Sequence, residues 1–260
     1  MHVCAAVGFA DDGITSDNVV GYINKSDIKG NTWTILGTSF ETTASTDIEL
    51  ASYVVGNFDK TVSSYDLDVM MANAPQIQVN DPQTGAPTSY FYCKDGYVPG
   101  GSDTEGWCDI GGNYISSITI SAGTGFWFIN PAGPCAVTFA GQVIGDNDTS
   151  LVVYPIWSLI ANPYPTDLNL NGATWGNMDT TVSSYDLDVM VATAPQVQVN
   201  DASGVPTSYF YCKDGYVPGG SDTEGWCDIG GNYVAEPTVN AGCGFWFKPT
   251  GAQVTVGFAK

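Results

Sequence analysis

Apolar and polar residues alternate along much of this 260-residue chain, in short stretches separated by Gly, Pro, Asn and Asp. A period of two, with many β-branched and aromatic residues, is typical of strands that bury one face. The segments 46–56 and 166–176 allow a helical turn, but neither has a convincing apolar helical face. The pattern predicts an all-β protein of antiparallel sandwiches or barrels. The predicted strands lie near 32–40, 75–80, 88–94, 106–110, 115–121, 125–129 and 135–143, and again near 156–161, 195–200, 207–213, 225–229, 234–239, 244–248 and 252–259.

Two stretches occur twice without a single difference. PTSYFYCKDGYVPGGSDTEGWCDIGGNY, here called the long block, spans 87–114 and 206–233, and TVSSYDLDVM, the short block, spans 61–70 and 181–190. Repeats of this length predict two homologous modules in tandem. Local gene conversion and a constraint on the blocks both explain the identity. The predicted organisation is an N-terminal strand and lead-in (1–30), a first module (31–144), a linker (145–155) and a second module (156–260).

One predicted strand is surplus to these two modules. The segments 135–143 and 252–260 close the modules, and VCAAVGFAD at 3–11 resembles them. An apolar strand without a partner exposes backbone groups, so one interpretation is that it pairs with a neighbouring subunit through Val7 and Phe9. The other interpretation is an ordinary first strand that folds back on the first module.

The cysteines predict covalent links. Cys93 and Cys108 recur as Cys212 and Cys227, a spacing that predicts one disulfide in each module. Disulfides imply an oxidising, extracellular location. Three cysteines are left over. Either Cys135 bonds to Cys243 and Cys4 is free, which we favour, or Cys4 bonds to Cys243 of the next subunit.

Charge and composition exclude several classes of function. The chain has 27 acidic residues, seven lysines and no arginine, with a formal charge of −20. Nucleic-acid binding needs a basic surface, so the composition predicts that the chain does not bind nucleic acid. The single histidine is His2, so catalytic groups built on histidine are not expected, and the chain is predicted not to be an enzyme. No apolar run approaches the ~18 residues of a membrane span.

The long block is rich in aromatic and acidic residues. Exposed aromatic rings stack on sugars, so we expect a ligand-binding loop at Tyr97, Trp107, Tyr216 and Trp226. The alternative interpretation of the aromatic residues is that the Trp and Phe of the GFWF segments fill the sandwich core. Carboxylates on a turn are also suitable ligands for calcium, although their spacing matches neither the EF-hand pattern nor an RTX-type repeat. The candidate calcium ligands are Asp95, Asp103, Glu105 and Asp109, with Asp214, Asp222, Glu224 and Asp228.

The second module carries a pattern with a family resemblance. Trp157–Pro165 reads WSLIANPYP and Ala241–Phe247 reads AGCGFWF. This order resembles a β-rich module of exported bacterial surface proteins, with W-x-L-[IV]-x-N-P-Y-P followed by G-x-GF[WF]. The first module keeps Trp33 and Gly125–Phe128 but has Gly-Thr-Ser-Phe in place of N-P-Y-P. The resemblance implies export and surface display and supplies no catalytic residues.

We therefore expect a secreted structural protein, assembled into an extracellular fibre or layer through strand addition, to which the second cysteine arrangement would add an intersubunit disulfide. The surplus strand and the odd cysteine favour this function. The alternative is an extracellular carbohydrate-binding or calcium-dependent adhesion protein, which the aromatic and acidic long block favours.

Overall fold

The structure is a computed structural model that describes residues 20–40, 47–50, 54–142, 149–201 and 204–258. Strands dominate these ranges, and they pair in antiparallel sheets, which confirms the predicted all-β sandwich. Labels run in chain order. The first half contains β1 (Val20–Ile28), β2 (Thr34–Gly37), β3 (Asp47–Glu49), β4 (Val55–Gly56), α1 (Leu67–Asn73), β5 (Gln76–Asn80), β6 (Pro87–Gly96), β7 (Thr104–Cys108), β8 (Thr119–Ser121), β9 (Gly125–Ile129) and β10 (Cys135–Gln142).

The second half repeats this order of strands and helix. It contains β11 (Thr149–Val153), β12 (Ser158–Ala161), β13 (Leu168–Asn169), the 3-10 turn (Leu170–Gly172), β14 (Thr174–Gly176), α2 (Leu187–Thr193), β15 (Gln196–Asn200), β16 (Pro206–Gly215), β17 (Thr223–Cys227), β18 (Thr238–Val239), β19 (Gly244–Lys248) and β20 (Val254–Phe258).

A five-stranded sheet is the largest layer of each half. Its order is β2-β9-β5-β6-β7 in the first half and β12-β19-β15-β16-β17 in the second. Ile77 of β5 lies opposite Tyr90 and Phe128 on the inner face, whereas Gln78 lies opposite Trp127 on the outer face. The alternation seen in the sequence therefore separates a core face from an outer face.

Small sheets cover the inner face of each large sheet. They have the orders β1-β10-β4 and β11-β20-β14, with the pairs β3-β8 and β13-β18 beside them. Val137 and Phe139 of β10 join Phe126 and Phe128 of β9 in one buried cluster. Burial of these aromatic and branched side chains between two sheets is the main stabilising contribution in such a sandwich.

Several strands lie where the sequence predicted none. The short strands β3, β4, β13 and β14 lie in segments 46–56 and 166–176, for which the sequence allowed a helical turn. Two longer strands were missed as well. Segment 145–155 was expected to be a linker, but Thr149–Val153 within it pairs with β20, and β1 in the expected lead-in pairs with β10. Both are edge strands. Among the β1 side chains whose burial the structure describes, Ile23 and Ile28 are the only buried ones, so the apolar alternation that reveals a strand is weak there.

Two short helices were also not predicted. α1 begins after Asp66, whose carboxylate accepts a hydrogen bond from the Val69 amide, and α2 begins after Asp186 in the same way. Within α1 only Met70 is buried, and it packs on the outer face of the five-stranded sheet against Phe91. A helix of seven residues with one buried side chain has no apolar periodicity to detect.

The two halves meet through a junction with approximate two-fold symmetry. The Gly37 amide donates to the Gly242 carbonyl at 3.0 Å, and the equivalent Ala161 amide donates to the Gly123 carbonyl at 2.7 Å. Isolated bridges join Leu36 to Cys243 and Thr124 to Ile160. Equivalent segments therefore contact each other reciprocally, as in an isologous dimer interface.

Candidate functional site

The short and long blocks, which are separate in the sequence, fold into one unit. The Lys94 amide donates to the Val62 carbonyl at 2.9 Å, which ties the long block to the short block. Asp95 accepts hydrogen bonds from the Ser64 amide and the Ser63 hydroxyl, both at 2.7 Å. The second copy repeats these contacts through its own blocks. The letter-identical part of each module is thus one contiguous structure.

A tight turn completes this unit. Asp109 accepts hydrogen bonds from the amides of Gly111 at 2.8 Å and Asn113 at 2.9 Å. Gly112 within the turn has a φ of +78°, and a β-carbon there would lie 2.7 Å from the Ser64 carbonyl oxygen. Only glycine allows the turn to approach the short block this closely.

Large apolar side chains are exposed around this turn. Tyr65 is 65% exposed, Leu67 41%, Tyr97 46% and Ile110 63%. We call these four residues the distal patch. Leu67 lies beside Gly112, which belongs to the same turn as Ile110, and the Tyr97 amide donates to the Gly112 carbonyl at 3.0 Å. The second distal patch consists of Tyr185, Leu187, Tyr216 and Ile229, with exposures of 65%, 45%, 45% and 66%.

A tyrosine–carboxylate hydrogen bond orients the aromatic part of the patch. The Tyr65 hydroxyl donates to the Asp103 carboxylate, and the Tyr185 hydroxyl donates to Asp222 at 2.5 Å. This hydrogen bond raises the pKa of Tyr65 and Tyr185, because the proton is shared with an anion. Each phenol is therefore held neutral, with its ring fixed beside a negative charge.

The predicted ligand-binding loop is only partly correct. Tyr97 and Tyr216 are exposed, but Trp107 and Trp226 are 1% and 0% exposed and cannot stack on a sugar. Trp107 packs edge-on against Tyr92, with ring centroids 5.3 Å apart. Alternation along β7 places the tryptophan on the inner face of the sheet, so its role is in the core.

The proposed calcium ligands do not converge on one point. In the first copy, the Ser63 hydroxyl binds Asp95, the Tyr65 hydroxyl binds Asp103, the Tyr92 hydroxyl binds Glu105 and the Asn113 amide binds Asp109. The second copy has the same separate partners for Asp214, Asp222, Glu224 and Asp228. Among the described residues, no group of three or more His, Cys, Asp or Glu side chains could hold a metal ion. The calcium interpretation is therefore not supported by the geometry.

The predicted disulfides are absent from the described part of the chain. Cys93, Cys108, Cys212 and Cys227 are buried free thiols, and the thiols of Cys93 and Cys108 donate to the Phe91 and Gly106 carbonyls at 3.8 and 3.7 Å. The neighbouring thiol of each pair, together with burial, raises the pKa of Cys93 in the first pair and of Cys227 in the second. Each cysteine pair packs beneath a helix, against Met70 of α1 in the first module and Met190 of α2 in the second. The cysteines therefore act there as small apolar side chains.

The predicted Cys135–Cys243 bond is also absent. Cys135 is buried at the start of β10, opposite Ile28, and burial raises its pKa to about 11. Cys243 lies at the junction, where its sulfur accepts a hydrogen bond from the Lys25 ammonium at 3.3 Å. The predicted intersubunit residues, Cys4, Val7 and Phe9, lie outside the described residues.

Four tryptophans form a row across the junction. The centroid distances are 6.3 Å from Trp33 to Trp127, 6.2 Å from Trp127 to Trp246 and 6.3 Å from Trp246 to Trp157. Trp33 is 37% exposed and the other three are half-buried. The row lies on the outer face of the large sheets, and its central pair links the two modules.

Comparison with known proteins gives no match: no family model, no curated protein and no solved structure is similar to this chain. The resemblance to exported surface modules therefore stays a prediction. Within the ranges that the structure describes, no helix has the length and apolar character needed to cross a membrane.

Sequence reasoning missed three of the four residues in the first distal patch: Tyr65, Leu67 and Ile110. The available signal was the identity of both blocks, which suggested that they act together. Their contact depends on hydrogen bonds between residues about 30 positions apart, such as that from Ser64 to Asp95. No periodicity in the sequence reports such a contact.

Proposed function

We propose that the chain is an extracellular, non-catalytic adhesion protein that presents the same binding surface twice. One observation carries this proposal: the exposed apolar side chains of the distal patches coincide with the blocks that are identical in both modules. Contiguous exposed apolar residues on a soluble protein commonly mark interaction sites.

The pattern of differences between the modules supports a constraint on the surface. Buried Ile77 is replaced by Val197, and Ile129 is replaced by Lys248, so positions in the large sheets tolerate change. On the same helix as Leu67, exposed Met71 is replaced by Val191 outside the block. The patch residues do not change, which is expected if both patches contact the same kind of partner.

The side chains of the patch favour binding over catalysis. The carboxylates of the long block have a serine, tyrosine or asparagine as a hydrogen-bond partner, and Asp66 accepts a hydrogen bond from the Val69 amide at the start of α1. General acid–base catalysis needs a titratable group directed at a reacting atom. An exposed patch whose carboxylates are held in this way is suited to contact with another surface.

The test measures binding of the full chain to intact cells of the source organism and to surfaces coated with proteins or insoluble glycans. The variants Tyr65→Ser and Tyr185→Ser, alone and combined, remove the aromatic part of one or both patches. Each single variant should lower the apparent affinity at least ~10-fold through loss of avidity, and the double variant should abolish binding.

Val205→Ser is the matched control, because Val205 is 58% exposed and lies outside the patches. It should bind as the unmodified chain does. Normal binding by the Tyr65→Ser/Tyr185→Ser variant, with its fold verified by circular dichroism, would overturn the proposal.

The tryptophan row supports a second candidate function, glycan binding at the junction. Partly exposed tryptophans at steps of about 6 Å offer apolar ring faces, and Gln78 and Gln198 lie directly opposite the central pair. Trp33→Ala should then weaken pull-down by insoluble glycans, while Tyr65→Ser leaves it unchanged. Equal pull-down by Trp33→Ala and the unmodified chain would exclude this function.

Assembly into a fibre through strand addition stays a proposal that rests on the sequence. The closing strands β10 and β20 each have a neighbour on both sides. A third copy of this strand would therefore need a place at another sheet edge, in this chain or in the next subunit.

A further inference from the structure

We infer that the partner of each distal patch is a cationic, lysine- or arginine-rich segment of another protein. This inference rests on the proposed function and names the class of partner. Charge complementarity carries it. The two blocks of one module contain six carboxylates and one lysine, Lys94, together with the four residues of the distal patch and the exposed Val69.

The charge of the patch excludes partners of the same sign. The whole chain has a formal charge of −20, and fields of this kind attract or repel ligands over several ångströms. Phosphates, nucleic acids and acidic glycans would be repelled. A second copy of the chain would also be repelled at this surface, because each patch would meet carboxylates of the same kind.

Part of the negative charge is available to a partner. Asp95 and Asp109 are half-buried and hold the fold through the Ser64 amide and the Asn113 amide. By contrast, Asp66, Asp68, Asp103 and Glu105 are exposed. All six carboxylates therefore contribute to the negative electrostatic field of the patch. The four exposed carboxylates are the ones placed to form direct ion pairs with a partner.

The aromatic residues of the patch fit the same partner. The Asp103 carboxylate accepts a hydrogen bond from the Tyr65 hydroxyl, so a carboxylate and a phenol ring lie side by side on the surface. An ammonium or guanidinium group is attracted both to the face of a tyrosine ring and to a neighbouring carboxylate. The aliphatic stem of lysine or arginine can cover apolar side chains such as Leu67 and Ile110 while its charge stays in water.

The experiment uses the full chain and a labelled twelve-residue peptide in which lysine and leucine alternate with serine. Two matched peptides carry glutamine or glutamate in place of lysine. Fluorescence anisotropy should show binding of the lysine peptide at two equivalent sites. Binding should be at least ~10-fold weaker for the glutamine peptide and weaker at high salt, because ion pairs at an exposed surface are screened.

The decisive variant is Asp103→Asn/Asp222→Asn, which keeps an acceptor for each tyrosine but removes one charge from each patch. This variant should lower the affinity for the lysine peptide at least ~3-fold. Asp27→Asn/Glu236→Gln removes two exposed charges outside the patches and should have a smaller effect. Equal weakening by both double variants would overturn the inference, since the peptide would then sense only net charge.

Two outcomes separate this inference from the proposed function. If the glutamine peptide binds as well as the lysine peptide, and Tyr65→Ser/Tyr185→Ser still abolishes cell binding, the patches bind a neutral partner and only the inference fails. If Tyr65→Ser/Tyr185→Ser changes neither peptide nor cell binding, both fail.

Discussion

The distal patches and the junction differ in how far the two modules have diverged. The patches are identical, whereas at the junction Gly37 corresponds to Ala161 and Thr124 to Cys243. Residues at an approximately symmetric junction face a partner in the other module, so the two sides can change together. The patches face solvent, and nothing within the chain requires them to remain alike. Under the proposed function, an external partner that both patches meet accounts for their identity, and local gene conversion is the other account of it.

The largest difference between these regions should be in stability. Leu36 is fully buried at the junction, and Leu67 is 41% exposed in the distal patch. Leu36→Ala should lower the free energy of unfolding by about 2–5 kcal/mol, because it removes buried methyl groups and leaves a cavity. Leu67→Ala should change it by less than ~0.5 kcal/mol. Urea denaturation of both variants checks this, and similar values would show that the patch is part of the core.

The next largest effect should come from the turn that supports the patch. Gly112→Ala combines a positive φ with a β-carbon 2.7 Å from the Ser64 carbonyl, so we expect a loss of about 2–3 kcal/mol. Gly100→Ala is the matched control, because its φ is +70° and its β-carbon would meet nothing within 4 Å. The control should cost only about 1 kcal/mol. Equal losses in thermal unfolding would mean that the close approach is not important.

A smaller effect should appear as a dependence on pH. Partial burial raises the pKa of Asp95, but hydrogen bonds from Ser64 and Ser63 outweigh it and hold the pKa below its ordinary value. A carboxyl group with a lowered pKa stabilises the fold above about pH 4, and this contribution is lost as the pH falls through the lowered pKa.

Asp95→Asn should therefore lower the melting temperature more at pH 7 than at pH 3. Asp68→Asn is the control, because Asp68 is exposed in α1 and should show no such difference. A pH-independent effect of Asp95→Asn would show that its charge does not contribute.

The smallest effect should be spectroscopic. The hydrogen bond to Asp103 raises the pKa of Tyr65, so Asp103→Asn should lower that pKa toward the ordinary value for tyrosine. The absorbance of tyrosinate, followed through an alkaline titration, reports this change. Asp27→Asn should leave the titration unchanged, and an unchanged titration in Asp103→Asn would mean that the hydrogen bond does not form in solution.

The sequence predicted the parts of the fold that bury one face. β5, β6 and β9 were expected because residues such as Ile77 and Phe128 alternate with polar or half-buried neighbours. Edge strands such as β11 were missed, because one partner strand suffices to hold them and their apolar pattern is weak. α1 was missed because Met70 is its only buried residue.

The candidate site was predictable only in part for a related reason. Alternation shows that Tyr97 and Trp107 belong to strands or their ends, but it cannot show which face a second sheet covers. Trp107 is covered and Tyr97 is not. The contact of Tyr65 with Asp103 joins two blocks that only the folded chain brings together.

The hydrogen-bonded junction has a geometric consequence. β2 is the edge strand nearest the junction, and β7, which belongs to the long block, is the opposite edge of the same sheet. Four strand spacings separate these edges, about 19 Å. Under the proposed function, this width sets how far each patch lies from the junction, and two sites held at a matching separation bind a divalent target with the highest effective concentration. The spacing between two docking points on the target would then contribute to recognition along with their chemistry.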